Sequence, residues 1–262
     1  MTPVLSIYDL AFAASFVLIN GAITTLLALG IARSLFVSAA RMVIQLTLLA
    51  FVLRWLFAYE AVLVTVIGIL IMGVFAGLEV VLRQEKTVGG FGTGAVASSI
   101  ILAAVFIVTM PTLVLLIAAD PWYRPQVALP IFGIVAGNAM TGIALTLSSF
   151  TDALDRDAAM IEARLALGET RTQALGDVLR QSVKIGLMPT INAMAAIGLV
   201  TFPGIMTGQL LANADPLQAA KYQMLVMFMI AGSSSLAIVA AAYAMLYRIT
   251  DARHRLRLDR LR

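Results

Sequence analysis

Charge-free apolar segments recur along the whole chain. They occupy residues 10–32, 61–78, 87–119, 125–151, 185–214 and 222–247. Each is close to or longer than the roughly 20 residues that a helix needs to cross a bilayer. A shorter segment, 42–51, lies between Arg41 and Arg54, whose long side chains can reach the lipid headgroups. The pattern predicts an all-α, polytopic transmembrane helical bundle with about seven spans, near residues 8–31, 38–57, 60–82, 94–119, 127–150, 185–203 and 221–247.

The segments between these spans carry their basic residues very unequally. If seven spans alternate across the membrane, fifteen of the 18 Lys and Arg residues fall on one side, and Arg54, Arg124 and Lys221 fall on the other. Loops rich in Lys and Arg stay in the cytoplasm. The N-terminus is therefore predicted outside and the C-terminus in the cytoplasm. The basic tail, 248–262, is predicted to contact anionic membrane lipids or a cytoplasmic partner.

Composition narrows the functional classes. The chain is 61% hydrophobic and 12% charged, far from the usage of soluble domains. With no cysteine and one histidine, His254, its sequence excludes disulfides, zinc–thiolate sites and thiol catalysis. An intramembrane enzyme is disfavoured because no span holds a deep carboxylate pair or a His-rich motif. Membrane orientation accounts for the net charge of +4, so no nucleic-acid partner is expected.

The long hydrophilic loop at 151–184 has a helical pattern. An apolar stripe at helical spacing is formed by Leu154, Ala158, Ile161 and Leu165, and charged side chains occupy the opposite face. Gly168 suits the left-handed residue that ends a helix, and Thr170 to Gln173 matches a capping box that starts the next one. The loop is predicted to form a helix, a tight turn and a second helix that project into the cytoplasm.

Prolines interrupt two of the predicted spans. Pro111 and Pro189 each remove a backbone donor, and both helices are expected to bend there. The segment 202–208 reads Phe-Pro-Gly-Ile-Met-Thr-Gly and predicts a re-entrant or outward-facing turn after the sixth span. Asp215 followed by Pro216 predicts the start of the last helix.

Part of the hydrophilic loop resembles the EAA loop of ABC importer permeases, whose short helix docks in a groove on the ATPase. Glu162-Ala163-Arg164 is followed after three residues by Gly168, and Val178 suits a later aliphatic position, whereas Arg180 and Gln181 replace the usual Leu and Pro. The alternative is an ordinary solvated connector that happens to be helical. The resemblance implies that ATPase coupling is carried by Leu154, Ile161, Glu162, Ala163, Leu165 and Gly168.

Four polar or glycine-rich clusters resemble, in order and spacing, the FetB-like family of ABC transporter permeases. They are 137–140 (Gly-Asn-Ala-Met), 189–194 (Pro-Thr-Ile-Asn-Ala-Met), 203–209 (Pro-Gly-Ile-Met-Thr-Gly-Gln) and 221–223 (Lys-Tyr-Gln). That family is associated with iron export in bacteria and aluminium tolerance in plants. The resemblance implies a single permease domain, 1–262, that forms a homodimer and pairs with two ATP-binding subunits.

The chain itself is expected to bind no nucleotide and not to be an enzyme. Its glycine-rich segment, 89–94, is followed by Ala95 and Val96 rather than the Lys and Ser/Thr of a P-loop. ATP and Mg²⁺ are therefore expected on the separate ATP-binding subunit. No cofactor is expected on this chain.

Polar groups within the spans are candidates for a cargo pathway, because they are costly in hydrocarbon without a partner or water. Glu79 also fits an ion pair with Arg83, four residues later, and Asn138 beside Gly137 fits close helix packing equally well. The methionines fit core packing better than Cu(I) ligation, since no regular Met-x-x-Met array is present. The candidate pathway residues are Glu79, Asn138, Met140, Asn192, Met194, Met206 and Gln223, and no metal ligands are assigned.

The leading hypothesis is an ABC permease of the bacterial inner membrane that exports a metal ion. Iron is the cargo that the family resemblance implies, and the loop at 151–184 would transmit ATPase motion to the helices. Two alternatives remain open: transport of another metal or a small metabolite, and a non-transport integral membrane scaffold. A P-loop ATPase encoded beside this gene would favour transport.

Overall fold

The computed structural model describes residues 6–57, 61–84, 86, 91–117, 120–251 and 255–261. Within these ranges the chain is helical and contains no strand, and two isolated β-bridges join Ile197 to Thr201 and Thr250 to Leu256. The predicted all-α class is confirmed. The chain divides into two compact units, residues 1–59 and 60–262. Gly89, Gly90 and His254, which the sequence predictions used, lie outside the described residues.

The first unit is a hairpin of two apolar helices, α1 (Ile7–Leu26) and α2 (Ala32–Leu56). The Ser6 N–H donates to Asp9 Oδ2 at 2.8 Å and closes a capping box at the start of α1. At the α1–α2 contact, a Cβ on Gly21 would lie 2.1 Å from Phe36 Cζ, so the Phe36 ring packs directly over this glycine. Most side chains of both helices are exposed and apolar, which suits contact with lipid.

The second unit contains the remaining described helices. In chain order they are α3 (Val62–Leu82), α4 (Phe91–Pro111) with a π-helical extension (Thr112–Leu116), α5 (Pro125–Ala166), α6 (Arg171–Ala174), α7 (Gly176–Ala196), α8 (Gly204–Leu211), α9 (Pro216–Ile249) and a 3-10 turn (Leu258–Arg260). In the described part of the chain, six helices are long and apolar enough to cross a membrane: α1, α2, α3, extended α4, α5 and α9. The protein is therefore a multi-pass membrane protein.

The predicted sixth span, 185–203, corresponds to the second half of α7. That helix begins earlier, at Gly176, and its first half carries Asp177, Arg180 and Lys184. Its apolar part, 185–196, rises only about 18 Å, whereas the hydrocarbon core is about 30 Å thick. The helix ends at Ala196, seven residues before the predicted end, and α7 is not among the six candidate spans.

Close glycine contacts set the direction of α3 and α4. A Cβ on Gly77 would lie 2.0 Å from Ser98 Oγ, and a Cβ on Gly73 would lie 2.2 Å from Leu102 Cδ2. From the first contact to the second, the α3 residue number falls from 77 to 73, whereas the α4 residue number rises from 98 to 102. The two helices are therefore antiparallel and nearly in backbone contact.

A second close contact joins α5, α7 and α9. A Cβ on Gly186 of α7 would lie 1.9 Å from Thr146 Oγ1 and 2.7 Å from Gly142 O, both on α5. A Cβ on Gly142 would in turn lie 2.5 Å from Ile238 Cδ1 on α9. Both glycines leave no room for a methyl group, so the three helices are closely packed at this crossing.

One end of the second unit gathers most of its basic residues. Arg248, at the end of α9, donates to Gly92 O at the start of α4 over 2.9 Å. The end of α3, the distal part of α5, α6 and the start of α7 lie at this same end, which we call the basic end. Its described Lys and Arg residues are Arg83, Lys86, Arg156, Arg164, Arg171, Arg180, Lys184, Arg248, Arg255, Arg257 and Arg260. The grouping agrees with the predicted charge bias, and the membrane face that this end occupies stays a prediction.

The predicted helix breaks have different outcomes. At Pro111 the α-helix gives way to the π-helical extension, and Thr112 Oγ1 donates to Val108 O at 2.8 Å. The α-helical pattern is therefore interrupted at Pro111, whereas α7 continues past Pro189. The bends expected in these two helices stay predictions. Asp215 Oδ2 accepts a hydrogen bond from the Gln218 N–H at 2.9 Å, with Pro216 at the first helical position, so the predicted start of α9 is confirmed.

We predict that Gly186→Ala destabilises the second unit, because the added methyl group would lie within 2.7 Å of Gly142 O and force α5 and α7 apart. Overpacking of this kind costs about 1–3 kcal/mol. The matched control is Gly176→Ala on the same helix, where a Cβ meets nothing within 4 Å. Thermal unfolding in detergent, followed by loss of the monodisperse chromatographic peak, should occur at a lower temperature for Gly186→Ala alone. Equal stability of the two variants would contradict the close α5–α7 contact.

Candidate functional site

The helix predicted within the hydrophilic loop is the continuation of a membrane helix. α5 runs unbroken for 42 residues, from Pro125 to Ala166, which is about 63 Å. Its distal part, from Thr151 onward, extends beyond the crossing of α5, α7 and α9 at the basic end. A movement of the distal part is therefore a movement of the same rigid helix that forms the core.

The apolar stripe of the loop packs against the chain's own core. Leu154 and Ile161 are fully buried, whereas Ala158 and Leu165 are half-buried. The expectation that Leu154 and Ile161 offer apolar contacts to a partner does not fit this burial, because a fully buried side chain has no surface left to dock. They hold the distal part of α5 in place instead.

The turn after α5 has the geometry that the sequence predicted. Gly168 has φ +93°, a left-handed conformation that favours glycine. The Glu169 N–H donates to Arg164 O at 3.2 Å and the Gly168 N–H donates to Leu165 O at 3.1 Å, which is the hydrogen-bond pattern of a Schellman motif. The Thr170 N–H then donates to Gln173 Oε1 at 2.9 Å, and α6 begins at Arg171.

The Arg164 guanidinium connects both sides of this turn. Its Nε donates to Glu169 Oε2 at 2.8 Å, and its Nη1 pairs with Asp177 Oδ2 at 3.3 Å. Nη1 and Nη2 also donate to the carbonyl oxygens of Ala174 and Gln173, at 3.3 and 3.1 Å. Hydrogen bonds to a charged donor are stronger than neutral ones, and this side chain is only 29% exposed. Sequence reasoning placed Arg164 within the motif but did not assign it this bracing role.

An exposed apolar stripe lies on the outer side of the same helix end. Met160 is 53% and Leu167 is 86% exposed, and Ala163 between them is also exposed. The three residues occupy positions i, i+3 and i+7, so they share one helix face. Glu162 is also exposed, roughly 100° around the helix from Ala163, and forms no ion pair with any residue that the structure describes. We call Met160, Glu162, Ala163 and Leu167 the loop patch; the sequence analysis had identified two of its four members.

Two contacts tie the loop to the rest of the basic end, and a third interaction lies within the tail. The Arg171 guanidinium carbon lies 4.2 Å from the centre of the Tyr247 ring, a cation–π contact between α6 and α9. Lys86 Nζ pairs with Asp155 Oδ2 on α5. Side-chain hydrogen bonds from Arg257 lower the pKa of Asp259 in the tail. The loop therefore contacts α9 and the segment between α3 and α4.

The candidate pathway residues are spread over the second unit rather than gathered at one point. Glu79 lies at the end of α3 and pairs with Arg83 across 3.5 Å, which confirms the predicted i, i+4 pair. Gln223, near the start of α9, is buried, and its Oε1 accepts no hydrogen bond from the described residues. Met140 and Met206 are half-buried, whereas Met194 is 37% exposed, and Asn138 and Asn192 are exposed.

No preformed metal centre is visible in the described residues. They contain no group of three or more His, Cys, Asp or Glu side chains that could hold an ion. A small cavity of about 20 Å³ lies between α4, α5 and α9, and its wall is mainly apolar, with Ile100, Ile143 and Met245 among its residues. None of the candidate pathway residues lines this cavity.

Comparison with known proteins gives a consistent result. The profile described as "Uncharacterised protein family (UPF0014)" matches residues 7–250. The chain is 28% identical over 234 residues to "Probable iron export permease protein FetB" of Escherichia coli, across 89% of this chain and 88% of FetB. It is 31% identical over 216 residues to "UPF0014 membrane protein STAR2" of Oryza sativa subsp. japonica, across 82% and 73% of the two chains. It is 32% identical over 206 residues to "Protein ALUMINUM SENSITIVE 3" of Arabidopsis thaliana, across 79% and 73%. No solved structure matches the chain significantly.

We predict that Arg164→Gln loosens the turn while leaving the membrane helices in place. The substitution removes the charge that bonds to Glu169, Asp177 and two carbonyl oxygens. Loss of such bonds costs about 1.5–3 kcal/mol, which corresponds to roughly tenfold or more faster local opening. Hydrogen exchange of the purified protein should accelerate over residues 167–177 and not in the transmembrane part of α5. Arg156→Gln, which removes only an exposed contact with the adjacent Asp157, should exchange like the unaltered protein. Unchanged exchange in Arg164→Gln would contradict the bracing role.

Proposed function

The chain belongs to the UPF0014 family of membrane proteins, and from that premise we propose that it is the membrane-spanning permease subunit of an ABC transporter. ATP and Mg²⁺ would be bound and hydrolysed on a separate ATP-binding subunit, since this sequence contains no P-loop. Two copies of this chain would pair with two such subunits. The membrane would be the bacterial inner membrane, with the basic end in the cytoplasm.

The observation that carries this proposal is the loop patch. Met160, Ala163 and Leu167 expose apolar surface beyond the membrane helices, and Glu162 on the adjoining face exposes a carboxylate that pairs with no residue the structure describes. A water-soluble partner with an apolar groove and a basic group would bury this surface and match its charge. A connector that only contacts water would not be expected to hold a turn in place with Arg164 and leave Leu167 86% exposed on it. The exposed part of the predicted coupling set, Glu162, Ala163 and Gly168, lies here.

Mechanical coupling follows from the continuity of α5. Leu154 and Ile161 fix the distal part of α5 to the core, and Arg164 fixes the start of α7 to the same turn. A force applied at the loop patch would therefore act on α5 and α7 together. The two helices meet at Gly142 and Gly186, so a force on the loop patch would be transmitted to this helix crossing in the membrane.

The proposed cargo is a metal ion, and iron is the first candidate. The name of FetB describes iron export, and FetB is similar to this chain across nearly its whole length. The name of the Arabidopsis relative refers to aluminium instead, so another metal is the second candidate. Iron and aluminium ions favour oxygen ligands, and the candidate pathway supplies amide oxygens from Asn138, Asn192 and Gln223.

We predict that Glu162→Lys and Gly168→Val abolish association with the ATP-binding subunit. The first reverses the charge of the loop patch, and the second places a β-branched residue at φ +93°, at a cost of roughly 1–2 kcal/mol that redirects α6. Tagged permease would be purified from its native membranes, and the co-purifying P-loop ATPase would be identified and quantified by mass spectrometry. Asp152→Lys is the matched control, because Asp152 is also exposed on α5 but lies ten residues earlier.

The expected result is normal membrane insertion of all three variants and loss of the ATPase only from Glu162→Lys and Gly168→Val. If the ATPase stays bound to both, the loop is a plain connector. If no P-loop ATPase co-purifies with the unaltered protein, the non-transport scaffold becomes the better account.

A further inference from the structure

The described part of the basic tail is folded back onto the end of α9. The Arg257 N–H donates to Ile249 O at 2.8 Å, and an isolated β-bridge joins Thr250 to Leu256. These backbone contacts hold the side chains that follow at a fixed position relative to α9. We call residues 248–251 and 255–261 the tail fold.

Two arginine side chains are anchored in the tail fold. Arg260 Nη1 donates to Arg248 O at 2.7 Å. Arg248 Nη1 in turn donates to Gly92 O, at the start of α4, at 2.9 Å. Both arginines are half-buried, and each has one guanidinium nitrogen bonded to a backbone carbonyl oxygen. The hydrogen bonds therefore fix two positive charges at the end of α9.

Neither of these charges is neutralised within the part of the chain that the structure describes. Arg248 and Arg260 form no ion pair with a carboxylate there. The carboxylates of the tail fold are bonded to other groups, because Asp251 Oδ1 accepts a backbone N–H at 2.9 Å and both oxygens of Asp259 accept hydrogen bonds from Arg257 at 2.8 Å. Like charges at the end of one helix repel each other, so a bound anion would stabilise this arrangement.

The length of α9 places the tail fold in the headgroup layer of the membrane. No charged side chain lies between Lys221 and Arg248, and the helix rises about 40 Å from one to the other. A bilayer with its headgroups is roughly 40–45 Å thick. Tyr243 and Tyr247, just before Arg248, are 43% and 51% exposed, and tyrosine is enriched at the membrane–water interface. Arg248 is therefore level with lipid headgroups.

The cavity beside Arg248 indicates which part of a lipid could be recognised. Arg248 lines the cavity between α4, α5 and α9, whose volume is about 20 Å³. That volume holds roughly one water molecule and is too small for an acyl chain. Recognition at the tail fold would therefore depend on the headgroup and not on the chains.

We propose that Arg248 and Arg260 bind the phosphate group of an anionic membrane lipid at the tail fold. A guanidinium presents its donors in a plane and bonds to phosphate oxygens through two of them. The nitrogens of Arg248 and Arg260 that do not donate to carbonyl oxygens supply such donors. The sequence alone left the tail to lipid or to a cytoplasmic partner, and the level of Arg248 in the membrane favours lipid. This site requires neither an ATPase nor a cargo.

The test is lipid binding to the purified full-length protein, measured by native mass spectrometry. The protein would be delipidated in detergent and titrated with phosphatidylglycerol or with phosphatidylcholine of the same acyl chains. Inorganic phosphate would be added as a competitor in a separate titration. The unaltered protein should bind phosphatidylglycerol in preference to phosphatidylcholine, lose it as the salt concentration rises, and bind short-chain and long-chain forms alike.

Arg248→Gln and Arg260→Gln should each weaken phosphatidylglycerol binding by roughly fivefold, because each removes one basic group from an anionic headgroup. Arg248→Lys and Arg260→Lys keep the charge and should retain most of the binding. Arg180→Gln is the matched control, since it removes the same charge from the basic end but its side chain already pairs with Asp177 at 3.0 Å. Thermal unfolding without lipid would show that each variant is folded.

Selective binding that both Gln variants weaken and Arg180→Gln retains would support the proposal. Equal binding of the two lipids, or unchanged binding in Arg248→Gln and Arg260→Gln, would overturn it. An equal loss in Arg180→Gln would show that total charge, and not these two arginines, attracts the lipid, which also contradicts the proposal. Displacement of the lipid by inorganic phosphate at a similar concentration would identify a soluble anion as the ligand instead.

Discussion

The Arg164 guanidinium holds together the turn between α5 and α7 at the basic end. It bonds to Glu169, to Asp177 and to the carbonyl oxygens of Gln173 and Ala174, so one side chain fixes the angle between the end of α5 and the start of α7. The left-handed Gly168 ends α5 and the capping box at Thr170 starts α6, but neither motif determines the angle between α5 and α7. The angle matters because it decides which side chains at the helix end face outward.

The same two helices meet again in the membrane. Gly142 and Gly186 place the backbones of α5 and α7 in contact, and Ile238 of α9 closes over the crossing. α5 and α7 are thus joined at two points. Arg164 of α5 pairs with Asp177 of α7 outside the apolar segments, and Gly142 packs against Gly186 within them. Two contacts between the same helices resist their separation, which is the property that the proposed coupling requires.

Local chemistry was predictable from the sequence, and packing was not. The left-handed Gly168, the cap at Thr170 and the start of α9 at Asp215 follow from short motifs. The continuity of α5 was missed, although no Gly or Pro occurs between 143 and 167. An apolar stripe shows that a face is buried but not what buries it, so Leu154 and Ile161 were assigned to a partner rather than to the core. The carbonyl partners of Arg164 lie nine and ten residues away and depend on a turn geometry that no spacing rule specifies.

A photo-cross-linking amino acid at position 167, with the ATP-binding subunit present, tests the central claim most directly. Leu167, at 86%, is more exposed than Met160 in the loop patch, and Leu199, at 90%, is a similarly exposed comparison site outside the basic end. Irradiation of native membranes should link position 167 to a P-loop ATPase, and position 199 should give no such product. A link from 199 in place of 167, or only lipid adducts at 167, would contradict it.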